Sequence, residues 1–202
     1  MGNGESRKAV VPSFAVVGQM SSGKGTYANA IKDAIEKEFH ISVYRVPSFS
    51  VKIADVARDL FGAKDEADGK PNRTLLQNIG HKMREIDSAV WANYLIRGIK
   101  AEGRQPFVVE GFRDLCELAA FRASFSDLVV VRIEADEAQR MEAYKRTYGQ
   151  YPTRQQLEHP SEMAVAEMPS DLTLHNNFDK ASLKLHVMGI ISAVKEGTLL
   201  KA

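Results

Sequence analysis

Residues 18–26 read Gly18-Gln-Met-Ser-Ser-Gly23-Lys24-Gly25-Thr26. The short apolar run Phe14-Ala-Val-Val17 precedes them. A helical pattern follows to about residue 39, with Tyr27, Ala30, Ile31, Ala34, Ile35 and Phe39 on one face. Gly-x-x-x-x-Gly-Lys between a buried strand and a helix is the spacing of a phosphate-binding loop. Its glycines let successive backbone N–H groups converge on a phosphate, and the helix N-terminus adds the positive end of its dipole. Lys24 places an ammonium on the outer phosphates, with Gly18, Ser21, Ser22, Gly23, Gly25 and Thr26 completing the cradle. The same glycines also fit a dinucleotide fingerprint, Gly23-x-Gly25-x-x-Ala28. That fingerprint wants an acidic residue about 20 positions on. Arg45 stands there instead and would suit a 2′-phosphate, while Lys24 inside the loop favours a nucleoside triphosphate.

The rest of the chain repeats the strand–helix alternation. Further strands are expected at 41–46, 106–110, 128–133 and 172–175, and helices at 51–61, 74–101, 115–124, 137–146 and 181–194. Residues 62–72 and 148–160, rich in Gly, Pro and charge, read as loops. Short strands apolar on both faces point to a parallel sheet covered by helices on both sides. No internal repeat and no flexible linker interrupts 12–202, so one α/β domain is expected behind a solvated tail at 1–11.

The composition excludes several classes. The 202 residues are 44% hydrophobic and 26% charged, which is ordinary for a globular chain. Lys+Arg is 27 against Asp+Glu 26, so no global basic bias advertises nucleic acid or an anionic membrane. Cys116, the one cysteine, leaves no intramolecular disulfide, fits a reducing cytoplasmic compartment, and reads as core. No apolar run approaches a membrane span, and the first residues lack the apolar core of a signal peptide. None of the five histidines pairs with Cys or another His at metal-ligand spacing.

Where a Ser or Thr usually follows the loop lysine and binds Mg²⁺, this chain has Gly25, with the hydroxyl one place later at Thr26. This Gly-Lys-Gly-Thr form resembles the adenylate kinase and nucleoside monophosphate kinase family. The resemblance implies a three-layer P-loop fold with a five-stranded parallel sheet, ATP as donor, and Mg²⁺ held largely through water. Glu110-Gly-Phe-Arg113 looks like the Asp-Gly-Phe-Pro-Arg element of adenylate kinases, with Glu for Asp and no proline. By that resemblance Glu110 belongs to the metal shell through water, and Arg113 grips phosphate. The plain alternative for Glu110 is a capping or surface carboxylate.

Arg73-Thr-Leu-Leu-Gln77-Asn-Ile-Gly80-His-Lys-Met-Arg84, running on to Asp87-Ser-Ala-Val-Trp91, is similar to phage-type deoxynucleoside monophosphate kinases and to the animal type of phosphomevalonate kinase. Gln77 and Arg84 share a helix face, with Arg73 one turn before Gln77. Arg suits a phosphate and Gln a base edge, so the stretch is a candidate acceptor site; a solvated polar face is the alternative. Ser48-Phe-Ser50 and Arg58 are further acceptor candidates, although a hydroxyl after Pro47 is also a routine helix cap. Trp91 reads as core.

Arg140, Lys145, Arg146 and Arg154 lie on or beside the 148–160 loop, at the place in chain order where adenylate-kinase-like enzymes carry lid arginines. Arginines from a closing segment would stabilise the charge spread over a transferring phosphoryl group and exclude water. Arg140 and Arg146 do not share one face cleanly, so one of them reads as surface. His159-Pro-Ser-Glu162 and Asp171-Leu-Thr-Leu-His175-Asn176-Asn177 also resemble the phage-type enzymes. By that resemblance Asn177 borders the adenine; alternatively, Asn176-Asn177 is a turn.

These readings converge on an acceptor-binding insertion near 47–101 and a lid near 146–160. The expected activity is transfer of the ATP γ-phosphoryl group to a (deoxy)nucleoside monophosphate, by a monomer or homodimer. Lys24, Arg113, Arg140 and Arg146 are the expected catalytic residues. Dephospho-CoA or phosphomevalonate as acceptor, or a regulator that binds nucleotide without transfer, are the alternatives.

Overall fold

The computed structural model describes residues 10–65 and 71–199, and the backbone but not the side chain of Arg73. Most of the tail expected at 1–11 and the middle of the 62–72 loop therefore lie outside the described residues.

The first strand, β1 (Ser13–Val17), is buried along its whole length and leads through the phosphate-binding loop into α1 (Lys24–Phe39). β2 (Tyr44–Arg45), α2 (Phe49–Phe61), α3 (Arg73–Ile86) and α4 (Val90–Ala101) follow. Next come β3 (Phe107–Glu110), α5 (Leu115–Ser124), β4 (Leu128–Glu134) and α6 (Glu137–Tyr148). The chain ends with α7 (Arg154–Leu157), α8 (Pro160–Glu167), β5 (Leu172–His175) and α9 (Lys180–Glu196).

The strands form one five-stranded sheet in the order β2-β3-β1-β4-β5. Every neighbouring pair is parallel. Period-two alternation along β1 divides the core into two layers. Ala15 and Val17 pack with Phe49, Ile53, Trp91, Leu95, Phe107 and Phe121 on one face, and Phe14 and Val16 with Tyr27, Ile31, Ile35, Val187 and Ile190 on the other. β3 therefore lies between β1 and β2. That order rejects the dinucleotide-binding reading, in which the second strand lies directly beside the first.

The structure corrects several expectations. The strand expected at 41–46 is only Tyr44–Arg45, because the Val43 N–H is taken at 2.9 Å by the Glu36 carboxylate of α1. The helix expected over 74–101 is two helices. Asp87 ends α3 in extended conformation and accepts the Ala89 N–H at 2.9 Å, a local bond that competes with helix continuation. The 148–160 loop contains the single turn α7, closed by a capping box between Thr153 and Gln156. Cys116 is exposed rather than core, because α5 turns Glu117, Leu118 and Phe121 inward.

Candidate active site

The parallel order brings the C-terminal ends of β1, β3, β4 and β5 to one edge of the sheet, and the phosphate loop lies across it. Ser21 adopts φ 58° and Gly23 φ 88°, both left-handed, so the chain curls before α1 begins. A Cβ on Gly18 would stand 2.5 Å from the Ile133 carbonyl oxygen and 2.6 Å from Ser22 Oγ. The loop is thus seated tightly against the end of β4.

Lys24 opens α1 and donates to the Gln19 carbonyl at 3.2 Å. Burial, then the positive charge of Arg113, push its ammonium down to about 8; Glu162 and Glu110 pull the other way, and Arg140 lowers it further. The three cations therefore share one neighbourhood. Arg113, just past β3, pairs with the Glu162 carboxylate of α8. Arg140, on α6, is buried and directs Nη1 at the Met20 carbonyl oxygen at 3.4 Å. Its Nε finds no hydrogen-bond partner among the described residues, nor does the buried Ser22 Oγ. Unpaired buried donors in a phosphate-binding loop are places where an anion restores what folding removed.

Glu110 ends β3 beside Gly25. A Cβ on Gly25 would stand 3.3 Å from Glu110 Oε1, so the carboxylate takes up the space that a larger residue would need. Arg45 donates Nη2 to the same oxygen at 2.5 Å, and Nε to Asn29 Oδ1 at 3.0 Å. Glu110 is therefore an ion-paired carboxylate at the edge of the loop rather than a helix cap.

Of the acceptor candidates, Arg84 and Arg113 meet at Glu117, which binds the side chain of the first and the N–H of the second. Arg84 turns inward to the fully buried Glu117, with Nε at 2.9 Å and Nη2 at 2.8 Å, and donates Nη1 to the Gly80 carbonyl at 3.1 Å. Burial pushes the Glu117 carboxyl up, against Arg84 and the Arg113 and Asp114 N–H groups. Gln77, expected on the same face, is exposed. Arg58 pairs with Asp55 and Asp65. Ser48 caps α2 by accepting the Ser50 N–H at 3.4 Å, and its hydroxyl lies 3.1 Å from that of Ser50. Trp91 is core, as expected, with its indole N–H on the Gly80 carbonyl at 3.3 Å. The Arg73 side chain lies outside the described residues.

Of the lid candidates, Arg140 is buried and Arg146 exposed. Arg154 is 88% exposed and paired with Glu158 at 2.7 Å. Beside the loop lies a cavity of about 340 Å³, lined by Gly23, Thr26, Tyr27, Asn176, Phe178 and Asp179 among others. Arg146 lines a neighbouring cavity of about 310 Å³, which shares Phe178. Asn177 is exposed and lines neither; the buried neighbour is Asn176, whose Nδ2 donates to the Ser22 carbonyl at 2.9 Å while its Oδ1 accepts the Phe178 N–H at 2.9 Å. Phe178, held at φ 58° by that turn, was missed from sequence. Only its place after the last strand could have flagged it.

No family model and no curated protein sequence matches the chain. Solved structures do match. A sugar kinase from Janibacter sp. HTCC2649 superposes with a TM-score of 0.55 at 14% identity, covering 92% of this chain and 98% of that one. A gluconokinase from Sinorhizobium meliloti 1021 gives 0.51 at 14% identity, covering 92% and 94%. Shikimate kinase from Acinetobacter baumannii in complex with shikimate gives 0.50 at 15% identity, covering 95% and 97%. The chain has the fold of the P-loop kinases. At these identities the likeness carries the fold alone.

Proposed function

We propose that the protein is an ATP-dependent small-molecule kinase that transfers the γ-phosphoryl group to a (deoxy)nucleoside monophosphate. The observation that carries this reading is the convergence on the phosphate loop of Lys24, bonded to the Gln19 carbonyl, Arg140, at the Met20 carbonyl, and Arg113, joined to the Met20 N–H through Glu162, with the Glu110 carboxylate beside Gly25. Three cations around a cradle of backbone N–H groups suit the spread charge of a transferring phosphoryl group.

In this reading the loop amides and Lys24 hold the donor phosphates, and the cavity bordered by Phe178 and Asn176 takes the nucleoside. An oxygen of the acceptor phosphate forms the new bond to the γ-phosphorus as the bond to the β–γ bridging oxygen breaks, and ADP leaves with that electron pair. No general base is required, because the acceptor phosphate is already anionic. Arg113 meets the acceptor side, and Arg140 neutralises charge on the transferring group. The oxygen donors present, the Glu110 carboxylate and the Thr26 hydroxyl, suit Mg²⁺. An ion held there would take most of its shell from nucleotide oxygens and water. When bound it neutralises donor-phosphate charge.

A hydroxyl acceptor such as dephospho-CoA is the second reading. Its support is that Arg84 and Arg58 are already committed to Glu117, Asp55 and Asp65, leaving fewer guanidinium groups for an acceptor phosphate. The test measures ADP release from ATP and Mg²⁺ with ribo- and deoxynucleoside monophosphates, dephospho-CoA and phosphomevalonate, with Lys24→Ala as the blank. Stimulation by a monophosphate supports the first reading, and stimulation by dephospho-CoA alone the second. ATP binding with no stimulated turnover would leave a nucleotide-binding regulator.

A further inference from the structure

The stretch His159-Pro160-Ser161-Glu162 opens α8 at the end of the 148–160 loop. Its first residues act locally. His159 caps the helix by accepting the Ser161 N–H at 3.2 Å, and Pro160 takes the first helical position, where no N–H is needed. Glu162 does something else. An acid at this place in a helix commonly reaches back to its own cap. Here Oε2 accepts the Met20 N–H of the phosphate loop at 2.7 Å, across 142 residues of sequence, and Oε1 receives the Arg113 guanidinium. The residue is 7% exposed. The carbonyl of the same Met20 accepts from Arg140. The opposite end of α8 is fixed too, since Arg132 of β4 donates to the Ala166 carbonyl at 2.9 Å and to that of Met168.

We propose that Glu162 is a positioning residue of the phosphoryl-transfer site: one carboxylate fixes the Met20 peptide in the phosphate loop and aims the Arg113 guanidinium, which makes α8 part of the nucleotide site. Resting on the kinase reading, this assigns a role to a motif that the sequence singled out without one. A buried carboxylate tied on both oxygens is costly unless both partners stay in place, so loop, Arg113 and α8 are held in one arrangement. It also supplies the negative charge that lets Lys24, Arg113 and Arg140 crowd together before any phosphate arrives. The charged groups around Lys24 are Arg113, Glu162, Glu110 and Arg140. Removing the Glu162 charge leaves Glu110 as the one nearby carboxylate of that set.

Two variants separate charge from reach. Glu162→Gln keeps an oxygen for the Met20 N–H and loses the charge; Glu162→Asp keeps the charge and loses a methylene of reach. Each is assayed for ATP affinity by titration, for kcat and KM with the acceptor, and for thermal midpoint. Glu162→Gln is expected to lose about 10²-fold in kcat, the cost of a catalytic group displaced by about an ångström, with KM for the acceptor changed far less and ATP affinity reduced. Glu162→Asp should lose less kcat than Glu162→Gln. The loss in Glu162→Gln should also be less than additive with Arg113→Ala. An effect of Glu162→Gln confined to the thermal midpoint, kcat within threefold of wild type, or full additivity with Arg113→Ala would overturn the assignment. Failure of the wild type to turn over any acceptor would sink the kinase reading instead, and wild-type ATP affinity in Glu162→Gln would still overturn the role of Glu162.

Discussion

Asn176 donates its side-chain amide to the Ser22 carbonyl at 2.9 Å, and the same nitrogen lies 2.3 Å from where a Cβ on Gly23 would stand. The last strand thus ends in a clamp on the phosphate loop. Gly23 also sits at φ 88°. Gly23→Ala must therefore displace a buried, doubly bonded side chain and adopt a left-handed conformation, at about 1–3 kcal/mol for the backbone alone. The expected result is loss of ATP binding with a lowered denaturant midpoint. Wild-type affinity in Gly23→Ala would show that the clamp is soft. Asn176→Ala should cost about 1–3 kcal/mol by leaving the Ser22 carbonyl unpaired.

Lys24 gives a pH dependence whose sign follows from its depressed ammonium. The free protein releases the proton near pH 8, whereas the unfolded chain keeps it to about 10.5. Between those values the unfolded state binds more protons, so this group makes stability rise with pH. Below pH 8 the burial penalty is present in full, at about 1–3 kcal/mol for a residue only half-buried by exposure. Lys24→Met should accordingly leave the free protein as stable at pH 7 or more so, while reducing turnover by at least about 10³-fold. ATP restores the charge by bringing phosphates, so binding above pH 8 takes up a proton and affinity falls by up to about tenfold per pH unit. Calorimetric titration at pH 9 in two buffers of different ionisation enthalpy checks this. No proton uptake at pH 9 would contradict the environment described for Lys24.

Arg84 is expected to behave as a fold residue. Removing it strands Glu117, which is 0% exposed, and breaking a buried pair from one side costs about 3–5 kcal/mol. Arg84→Ala should fall steeply in thermal midpoint. The double change Arg84→Met with Glu117→Leu should recover much of that loss. If Arg84→Ala instead kept its midpoint and raised KM for the acceptor alone, Arg84 would be an acceptor contact after all.

What the sequence made legible follows from what is local. Phe14-Ala-Val-Val17, the glycine spacing and the amphipathic α1 are contiguous, and their physics needs no partner, so the loop and the α/β alternation could be read directly. The break at Asp87 was invisible, because hydrophobic periodicity runs through it and the turn is fixed by bonds that Asp87 accepts from Ala89, Val90 and Asn93. The pairings were also hidden. Nothing local marks that Arg84 meets Glu117 or that Glu162 meets Met20 and Arg113, since those contacts join segments far apart in sequence. Asn176 and Asn177 are chemically identical neighbours, and only the turn geometry decides which one faces the loop.

Arg140 is the α6 arginine that the fold buries, and it carries an unmet need. The residue is 8% exposed, its Nε lacks a partner among the described residues, and its positive charge repels that of Lys24. An unpaired buried donor costs about 1–3 kcal/mol, more on a charged group. Arg140→Met removes donor and charge while keeping much of the volume, so the free protein should unfold at the same or higher denaturant concentration. Catalysis should move the opposite way, since a guanidinium neutralising a transferring phosphoryl group is worth about 10³-fold or more in kcat. Arg140→Lys keeps the charge without the planar fork and should recover only part of that loss. The measurement pairs a urea midpoint with acceptor-dependent kcat for both variants. Raised or equal stability with collapsed turnover marks a residue strained for function, whereas a large drop in midpoint with kcat preserved would make Arg140 a structural tie to the Met20 carbonyl and nothing more.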